Sequence, residues 1–145
     1  MADISDLRGQ IVARIGQPQD GSELIFFLDE DVALALYHEQ DCCESVYLED
    51  VAGDLQDLVG TQIWQAEEVS NKDYVDTNEE QWTFYLLRTI KGSVTLRWYG
   101  SSNGYYSTAV DAGWRYRGQS LYYMHYDDAA VARDLIESRY DIRAT

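Results

Sequence analysis

Short apolar runs separated by turn residues dominate the first third of the chain. The runs cover residues 9–16, 22–29 and 32–39, with turn signals at residues 18–21 and an acidic stretch at residues 29–31. Runs of this length, bounded by Gly, Pro and Asp, are typical of strands joined by turns. They predict three antiparallel strands, and the alternating run ESVYLEDV that follows predicts a fourth.

The sequence DLQDLVG, which begins at Asp54, carries the signals of a short helix. Asp54 suits the N-cap, Asp57 stands three positions later as in a capping box, and Gly60 can take the left-handed conformation that ends a helix. An extended segment over residues 61–69 follows. Residues 70–81 are polar and acidic with little periodicity, which predicts a loop.

Two turn signals divide the second half of the chain into a three-stranded meander. Lys91–Gly92 joins residues 82–90 to residues 93–101, and Asn103–Gly104 joins the latter to residues 105–111. Asn-Gly is a strong hairpin signal because both residues tolerate positive φ. Two-residue turns at these positions predict the following pairs: Leu86 opposite Arg97, Arg88 opposite Thr95, Arg97 opposite Val110 and Tyr99 opposite Thr108.

The two-residue period of a strand sorts these side chains onto two faces. One face is mainly apolar and predicts the core: Tyr85, Leu87, Val94, Leu96, Trp98 and Ala109. The opposite face is aromatic and cationic: Trp82, Phe84, Leu86, Arg88, Thr95, Arg97, Tyr99, Ser101, Tyr106 and Thr108.

This second face is a candidate binding face. Arg88 and Arg97 fall on neighbouring strands, diagonally close enough to hold one anion. Guanidinium groups bind phosphate or carboxylate through paired donors, and aromatic rings stack on planar ligands. We therefore expect a small nucleotide-like ligand, bound by Trp82, Arg88, Arg97, Tyr99, Asn103 and Tyr106. Two alternatives stay open: an interface for a partner protein, and a solvated face whose arginines pair with acidic residues.

The formal charge of −15 narrows the choice of partners. Residues 1–80 hold 20 Asp and Glu against 3 Lys and Arg, whereas residues 81–145 hold 6 against 8. Direct binding to nucleic acid is disfavoured, because clustered cations supply that affinity. An acidic inhibitor that mimics nucleic acid fits this charge, and so does a surface charged for solubility.

A crowded cluster contains His38, Cys42 and Cys43. These residue types suggest a metal site or a catalytic thiol. Zinc sites usually use two separated ligand pairs, and the other histidine, His125, is far along the chain. Adjacent strand residues point to opposite faces, so the two cysteines could not both bind one metal without a kink. A Cys–His nucleophile would need a third group to orient the histidine. We expect reduced, packed thiols, no cofactor and no enzymatic activity, with a metal- or thiol-dependent enzyme as the alternative.

Four sequence blocks occur in a characteristic order: DCCESV, GDLQDLVG, AEE and RWYGSSNGYYS. With them, the chain resembles a family of small uncharacterised proteins encoded mainly by bacteriophages and prophages, over about residues 36–111. The resemblance implies an accessory protein in the cytoplasm of an infected bacterium. Such proteins often act against host defence, by sequestering a nucleotide signal or by blocking a defence protein.

The chain departs from this family pattern near its C-terminal end. Asp127 suits the N-cap of a helix that runs to about Tyr140, and the tyrosines before it favour a contact between subunits. We predict a β-rich α+β fold, with antiparallel sheets and one short helix in a core domain over residues 1–112. An extension over residues 113–145 carries the C-terminal helix and packs in cis or joins a homo-oligomer. Without a membrane span or signal peptide, a cytoplasmic location is expected.

Overall fold

The computed structural model describes residues 2–17, 21–75, 77–116 and 141–144, with the backbone alone for residues 75 and 141–144. Within these residues, the elements in chain order are two 3-10 helices and nine strands: η1 (Ile4–Leu7), β1 (Arg14–Gln17), β2 (Leu24–Phe27), β3 (Val32–Tyr37), β4 (Ser45–Ala52), η2 (Leu55–Leu58), β5 (Gln65–Val75), β6 (Asn78–Thr89), β7 (Gly92–Ser102), β8 (Asp111–Tyr116) and β9 (Asp141–Ala144). The strands form two antiparallel sheets, as the β-rich prediction expected.

Sheet 1 contains five strands in the order β8-β3-β2-β1-β9. The predicted meander of the first three strands is confirmed, because β1 pairs with β2 and β2 with β3. Asp29 closes the turn between β2 and β3. Its Oδ1 accepts hydrogen bonds from the amides of Asp31 at 2.7 Å and Val32 at 2.9 Å. Asp29 therefore has a structural role in this turn.

The part of the chain predicted as an extension supplies both edges of sheet 1. β8 pairs with β3 along its whole length, and β9 pairs with β1. The domain boundary proposed at residue 112 therefore falls inside a strand. The helix predicted over residues 127–140 lies outside the described residues.

Sheet 2 contains four strands in the order β4-β7-β6-β5. The fourth predicted strand is confirmed as β4, but it pairs with β7 and so belongs to the other sheet. A bulge between Leu48 and Asp50 interrupts its ladder. The chain changes sheet between Tyr37 and Ser45.

β5 and β6 form a long hairpin where a loop was expected. Each residue from Gln65 to Val75 pairs with β6, so the loop predicted over residues 70–81 is wrong. β5 is an edge strand, and residues 67–74 are exposed whichever face they occupy. A strand that is exposed on both faces shows no alternation of apolar and polar residues, which explains the error.

The hairpin of β6 and β7 is confirmed, but its turn is formed by Ile90 and Lys91 rather than Lys91 and Gly92. The observed pairs are Thr89 with Gly92, Arg88 with Ser93, Leu86 with Thr95 and Phe84 with Arg97. The Thr89 hydroxyl supports this turn, since it accepts the Lys91 amide at 3.1 Å and donates to the Asp57 carbonyl. The register differs from the predicted one by two residues, which leaves both faces unchanged.

The third strand of the predicted meander is wrong, because β4 takes the place beside β7. Gly104 does adopt the left-handed conformation at φ +92, but the chain then leaves the sheet instead of pairing back. Residues 105–110 approach the inner face of β7 at Gly100, where an added Cβ would lie 2.7 Å from the Thr108 carbonyl oxygen. The segment continues into β8.

The predicted short helix is confirmed as η2. The Asp54 side chain caps it by accepting the Gln56 amide at 2.9 Å, and Gly60 has φ +88. A reciprocal capping box is found in η1 instead, between Asp3 and Asp6.

One core lies between the inner faces of the two sheets. Its members from sheet 1 include Ile15, Leu24, Phe26, Leu34 and Leu36, and those from sheet 2 include Leu48, Ala66, Tyr85, Leu87, Val94, Leu96 and Trp98. The predicted core face of the β6–β7 hairpin is therefore confirmed. Ala109 is the exception: it lies outside the sheet and is only partly buried.

Candidate functional site

The outer face of sheet 2, which points away from this core, carries the aromatic residues of the predicted binding face. Tyr47, Tyr99 and Trp82 stand side by side on β4, β7 and β6. Their ring centroids are 5.9 Å apart for Tyr47 and Tyr99, and 5.4 Å apart for Trp82 and Tyr99. Partial burial and the nearby Glu80 carboxylate raise the pKa of Tyr99. These three rings form the aromatic row.

Arg97 lies next to the aromatic row, opposite Phe84. Its Nε is 2.8 Å from Oε1 of Glu49, in an ion-pair geometry that does not meet the angle of a hydrogen bond. Both side chains are partly exposed, so this pair adds little stability. Its main effect is that a carboxylate already balances the charge of Arg97.

Arg88 does not lie diagonally next to Arg97, which corrects the prediction that the two arginines are placed together to hold one anion. Arg88 pairs with Ser93, and Phe84, the partner of Arg97, lies four residues away along β6. Four strand residues span about 13 Å. The two-residue difference in register therefore means that the two arginines are no longer diagonal neighbours on the sheet.

Arg88 instead lies in an open cleft at the turn end of the β6–β7 hairpin. The cleft has a volume of about 490 Å³, and the residues that line it include Trp64, Gln65, Leu86, Arg88, Ser93 and Thr95. No Asp or Glu is among the described residues that line it. Trp64 is half exposed there, at 52%. We call this site the Arg88 cleft.

Trp64 is the residue of this site that sequence reasoning missed. It lies just before β5 and its amide donates to the Arg88 carbonyl at 2.8 Å. The available signal was a tryptophan in the mostly polar stretch TQIWQAEE, next to Ile63, which extended backbone directs to the opposite face. Only the pairing of β5 with β6 shows that Trp64 stands next to Arg88.

Asn103 and Tyr106, the remaining predicted ligand residues, lie beyond the end of β7. Asn103 forms a local turn, with its Oδ1 accepting the Tyr105 amide at 3.0 Å. Tyr106 packs edge to face on Tyr105, with 5.0 Å between centroids. A hydrogen bond with Cys42 raises the pKa of the Tyr106 hydroxyl. Asn103 therefore belongs to the turn after β7, and Tyr106 contacts the loop that contains Cys42.

His38 and Glu44 form a buried clasp between the two sheets. His38 Nε2 is 2.8 Å from Glu44 Oε2, and Nδ1 is 2.7 Å from the Ala109 carbonyl oxygen. The side chains are 3% and 0% exposed. Both ring nitrogens face acceptors, so only the doubly protonated ring can donate to both. His38 follows β3 of sheet 1 and Glu44 precedes β4 of sheet 2, so the clasp joins the sheets.

Glu44 is held as a carboxylate by this clasp. The hydrogen bond from His38, with further bonds from the amides of Asp41 and Cys42, lowers its pKa to about 2. The amide of Asp41 lies 3.0 Å from Oε2, and that of Cys42 lies 2.8 Å from Oε1. The carboxylate thus organises the loop between β3 and β4.

Cys42 and Cys43 are free and exposed, which corrects the expectation of packed thiols. A hydrogen bond between the two raises the pKa of the Cys43 thiol. His38 directs its ring nitrogens to Glu44 and Ala109 rather than to a thiol. Within the described part of the chain, no three His, Cys, Asp or Glu side chains are placed to hold a metal ion.

The fold and this face define a β-rich protein with two antiparallel sheets, one of which carries an aromatic outer face. The chain belongs to the family described as a domain of unknown function, DUF7448, whose model matches residues 5–112. Comparisons with curated proteins and with solved structures gave no significant match. In the described residues, no helix has the length and apolar character needed to cross a membrane.

Proposed function

We propose that this protein is a non-enzymatic binding protein that captures a small nucleotide-like ligand in the Arg88 cleft. The observation that carries the proposal is the charge of the cleft. In a chain of net charge −15, no Asp or Glu is among the described residues that line the cleft, and Glu67, diagonal to Arg88 across the β5–β6 pair, forms no ion pair with it. A cation that forms no ion pair with a carboxylate remains available to an anionic ligand.

The cleft has the size and the groups that such a ligand needs. Its volume of about 490 Å³ falls within the range of small-molecule sites. The Arg88 guanidinium can bind a phosphate through paired donors, and the exposed Trp64 ring offers a stacking surface. The hydroxyls of Ser93 and Thr95 and the Gln65 amide supply further hydrogen bonds.

The same residues support a non-enzymatic role. Among the described residues that line the cleft, Arg88 is the only titratable side chain, and none is His, Cys, Asp, Glu or Tyr. General acid–base catalysis needs a group that exchanges a proton near neutral pH, and arginine does not. We therefore propose capture without turnover. The resemblance to phage-encoded proteins supports a role of this capture in counteracting host defence.

Calorimetry with mononucleotides, cyclic dinucleotides and ADP-ribose tests the proposal. Charge-assisted hydrogen bonds contribute about 1.5–3 kcal/mol, so Arg88→Gln should weaken binding by about tenfold or more. Trp64→Leu should weaken the binding of ligands that contain a ring but not the binding of inorganic phosphate. Arg97→Gln is the matched control, because Glu49 already balances Arg97, and it should leave affinity unchanged. If the wild-type protein binds none of these probes, the proposal is wrong.

A second candidate function rests on the aromatic row. Tyr47, Tyr99 and Trp82 are accessible on an open sheet, and carboxylates such as Glu49 and Glu80 lie beside them. Such a surface suits an acidic inhibitor that docks on a basic defence protein of the host. In this case Tyr99→Ala and high salt should abolish partner capture, whereas Arg88→Gln should not.

A further inference from the structure

Glu67 stands beside the Arg88 cleft, on the same face of sheet 2 as Arg88. Its neighbour Ala66 is 2% exposed and points into the core, so Glu67 points to the outer face, where it is exposed. Glu67 pairs with Leu86, which lines the cleft, and Arg88 is the next residue of β6 on that face. Diagonal neighbours of this kind lie about 7–8 Å apart. A carboxylate is therefore close to the proposed phosphate position.

Asp57 of η2 brings a second carboxylate to the opposite end of the cleft. Gly92 lines the cleft at the turn between β6 and β7, and a Cβ added to it would lie 2.7 Å from Oδ2 of Asp57. Along the strands, Glu67 is thus on one side of Arg88 and Asp57 is on the other. Neither carboxylate forms an ion pair with Arg88.

The described part of this face holds no second cation that is open to another phosphate. Arg97 is the other cation on the described outer face of sheet 2, and Oε1 of Glu49 lies 2.8 Å from its Nε. Lys91, in the turn beside the cleft, donates through its Nζ to the Gln56 carbonyl oxygen at 3.3 Å. Arg88 is therefore the cation that the cleft offers to a ligand, in a chain of net charge −15.

We propose that Glu67 is a specificity-determining residue, which restricts the Arg88 cleft to ligands with one phosphate group. This role rests on the proposed function, because it takes the Arg88 cleft as the nucleotide site. One phosphate can bind the guanidinium through paired donors. A second phosphate of the same ligand would lie near Glu67 or Asp57 and meet no further cation, so repulsion offsets its attraction to Arg88. The ligand class is a mononucleotide rather than a dinucleotide, a nucleoside polyphosphate or ADP-ribose.

Calorimetry with the 5′-mono-, di- and triphosphates of the four common nucleosides measures this selectivity in the full chain. The buffer contains a chelator, because a divalent cation would neutralise the added phosphates. For each base that binds, the wild-type protein should hold the monophosphate at least about twofold more tightly than the diphosphate, because the added charge lies near two carboxylates. A diphosphate bound more tightly than its monophosphate would overturn the proposal.

Two substitutions at Glu67 test its role directly. Glu67→Lys places an ammonium group beside the position of a second phosphate. The affinity for the diphosphate should therefore rise by at least about tenfold relative to the affinity for the monophosphate, as expected for a new charge-assisted hydrogen bond. Glu67→Gln removes the carboxylate without adding a cation, so it should bring the two affinities closer together without reaching the ratio of Glu67→Lys.

Asp73→Lys is the matched control for Glu67→Lys. Asp73 lies on the same strand and the same face, six residues or about 20 Å away, and the variant has the same net charge. It should leave the ratio of the monophosphate and diphosphate affinities unchanged. Thermal melts check that the variants fold, which is expected because Glu67 and Asp73 are both exposed.

The binding patterns distinguish the role of Glu67 from the proposed function itself. If Arg88→Gln weakens nucleotide binding but Glu67→Lys and Asp73→Lys change the affinity ratio equally, the Arg88 cleft is the binding site and the role of Glu67 is wrong. If the wild-type protein binds none of these nucleotides, both the site and the role of Glu67 are wrong.

Discussion

Gly100 provides a sharp test of how residues 105–110 pack. An added Cβ at this position would lie 2.7 Å from the Thr108 carbonyl oxygen and 2.9 Å from the Thr108 Cβ. The Thr108 hydroxyl lies 2.6 Å from Glu79 Oε2 and 2.8 Å from the Gln81 side-chain oxygen, in a buried polar cluster. Gly100→Ala must therefore displace backbone that is held in place by this cluster.

The sign of the effect distinguishes this packing from the meander expected on sequence grounds. In an ordinary strand, Gly→Ala raises stability by about 0.5–1 kcal/mol. Forcing one extra carbon into the close contact at Gly100 should instead lower the free energy of unfolding by about 1–3 kcal/mol. For a chain of this size, each kcal/mol corresponds to a change in Tm of about 2–4 °C.

Urea unfolding followed by tryptophan fluorescence, together with a thermal melt, measures this change. Ser93→Ala, on the same strand but at an exposed position, is the control and should change stability by less than about 0.5 kcal/mol. If Gly100→Ala leaves the Tm unchanged or raises it, Thr108 does not pack against β7 as described.

The remaining predictions concern the clasp, the cap and the cysteines. The folded pKa of Glu44, about 2, lies below its ordinary value of 4.5, so the contribution of Glu44 to folding stability is fully present above about pH 4.5 and is lost as the pH falls towards 2. The difference in unfolding free energy between wild type and Glu44→Gln, measured by urea titration, should therefore shrink over this pH range. A difference that stays constant would argue against the His38 contact. Asp54→Ala should cost about 1 kcal/mol through loss of the η2 cap, whereas Asp54→Asn should retain most of it in the same assay. The Cys42→Ser, Cys43→Ser double variant should keep the wild-type Tm, because both side chains are exposed; a drop of several degrees would show that the thiols pack in the folded protein.

Part of the candidate site could be predicted because a strand's two faces follow from local alternation. The sequence correctly placed Trp82, Arg97 and Tyr99 on the face opposite Tyr85 and Leu87. It could not separate Arg88 from Arg97, because registers that differ by two residues place the same side chains on the same faces. Trp64 was missed for a related reason. Its position beside Arg88 depends on the pairing of β5 with β6, and the sequence of β5 shows no alternation of apolar and polar residues.

The sequence by itself determined the features that depend on neighbouring residues. These are the extended runs, the Asp54 cap, the hairpin of β6 and β7, and the division of that hairpin into core and outer faces, since backbone period and capping act over a few positions. Tertiary structure decided which strands pair across long separations in the chain. The assignment of β4 to sheet 2, the path of residues 105–110 and the His38–Glu44 clasp depend on apolar burial and hydrogen bonds summed over the whole core, which no local pattern records.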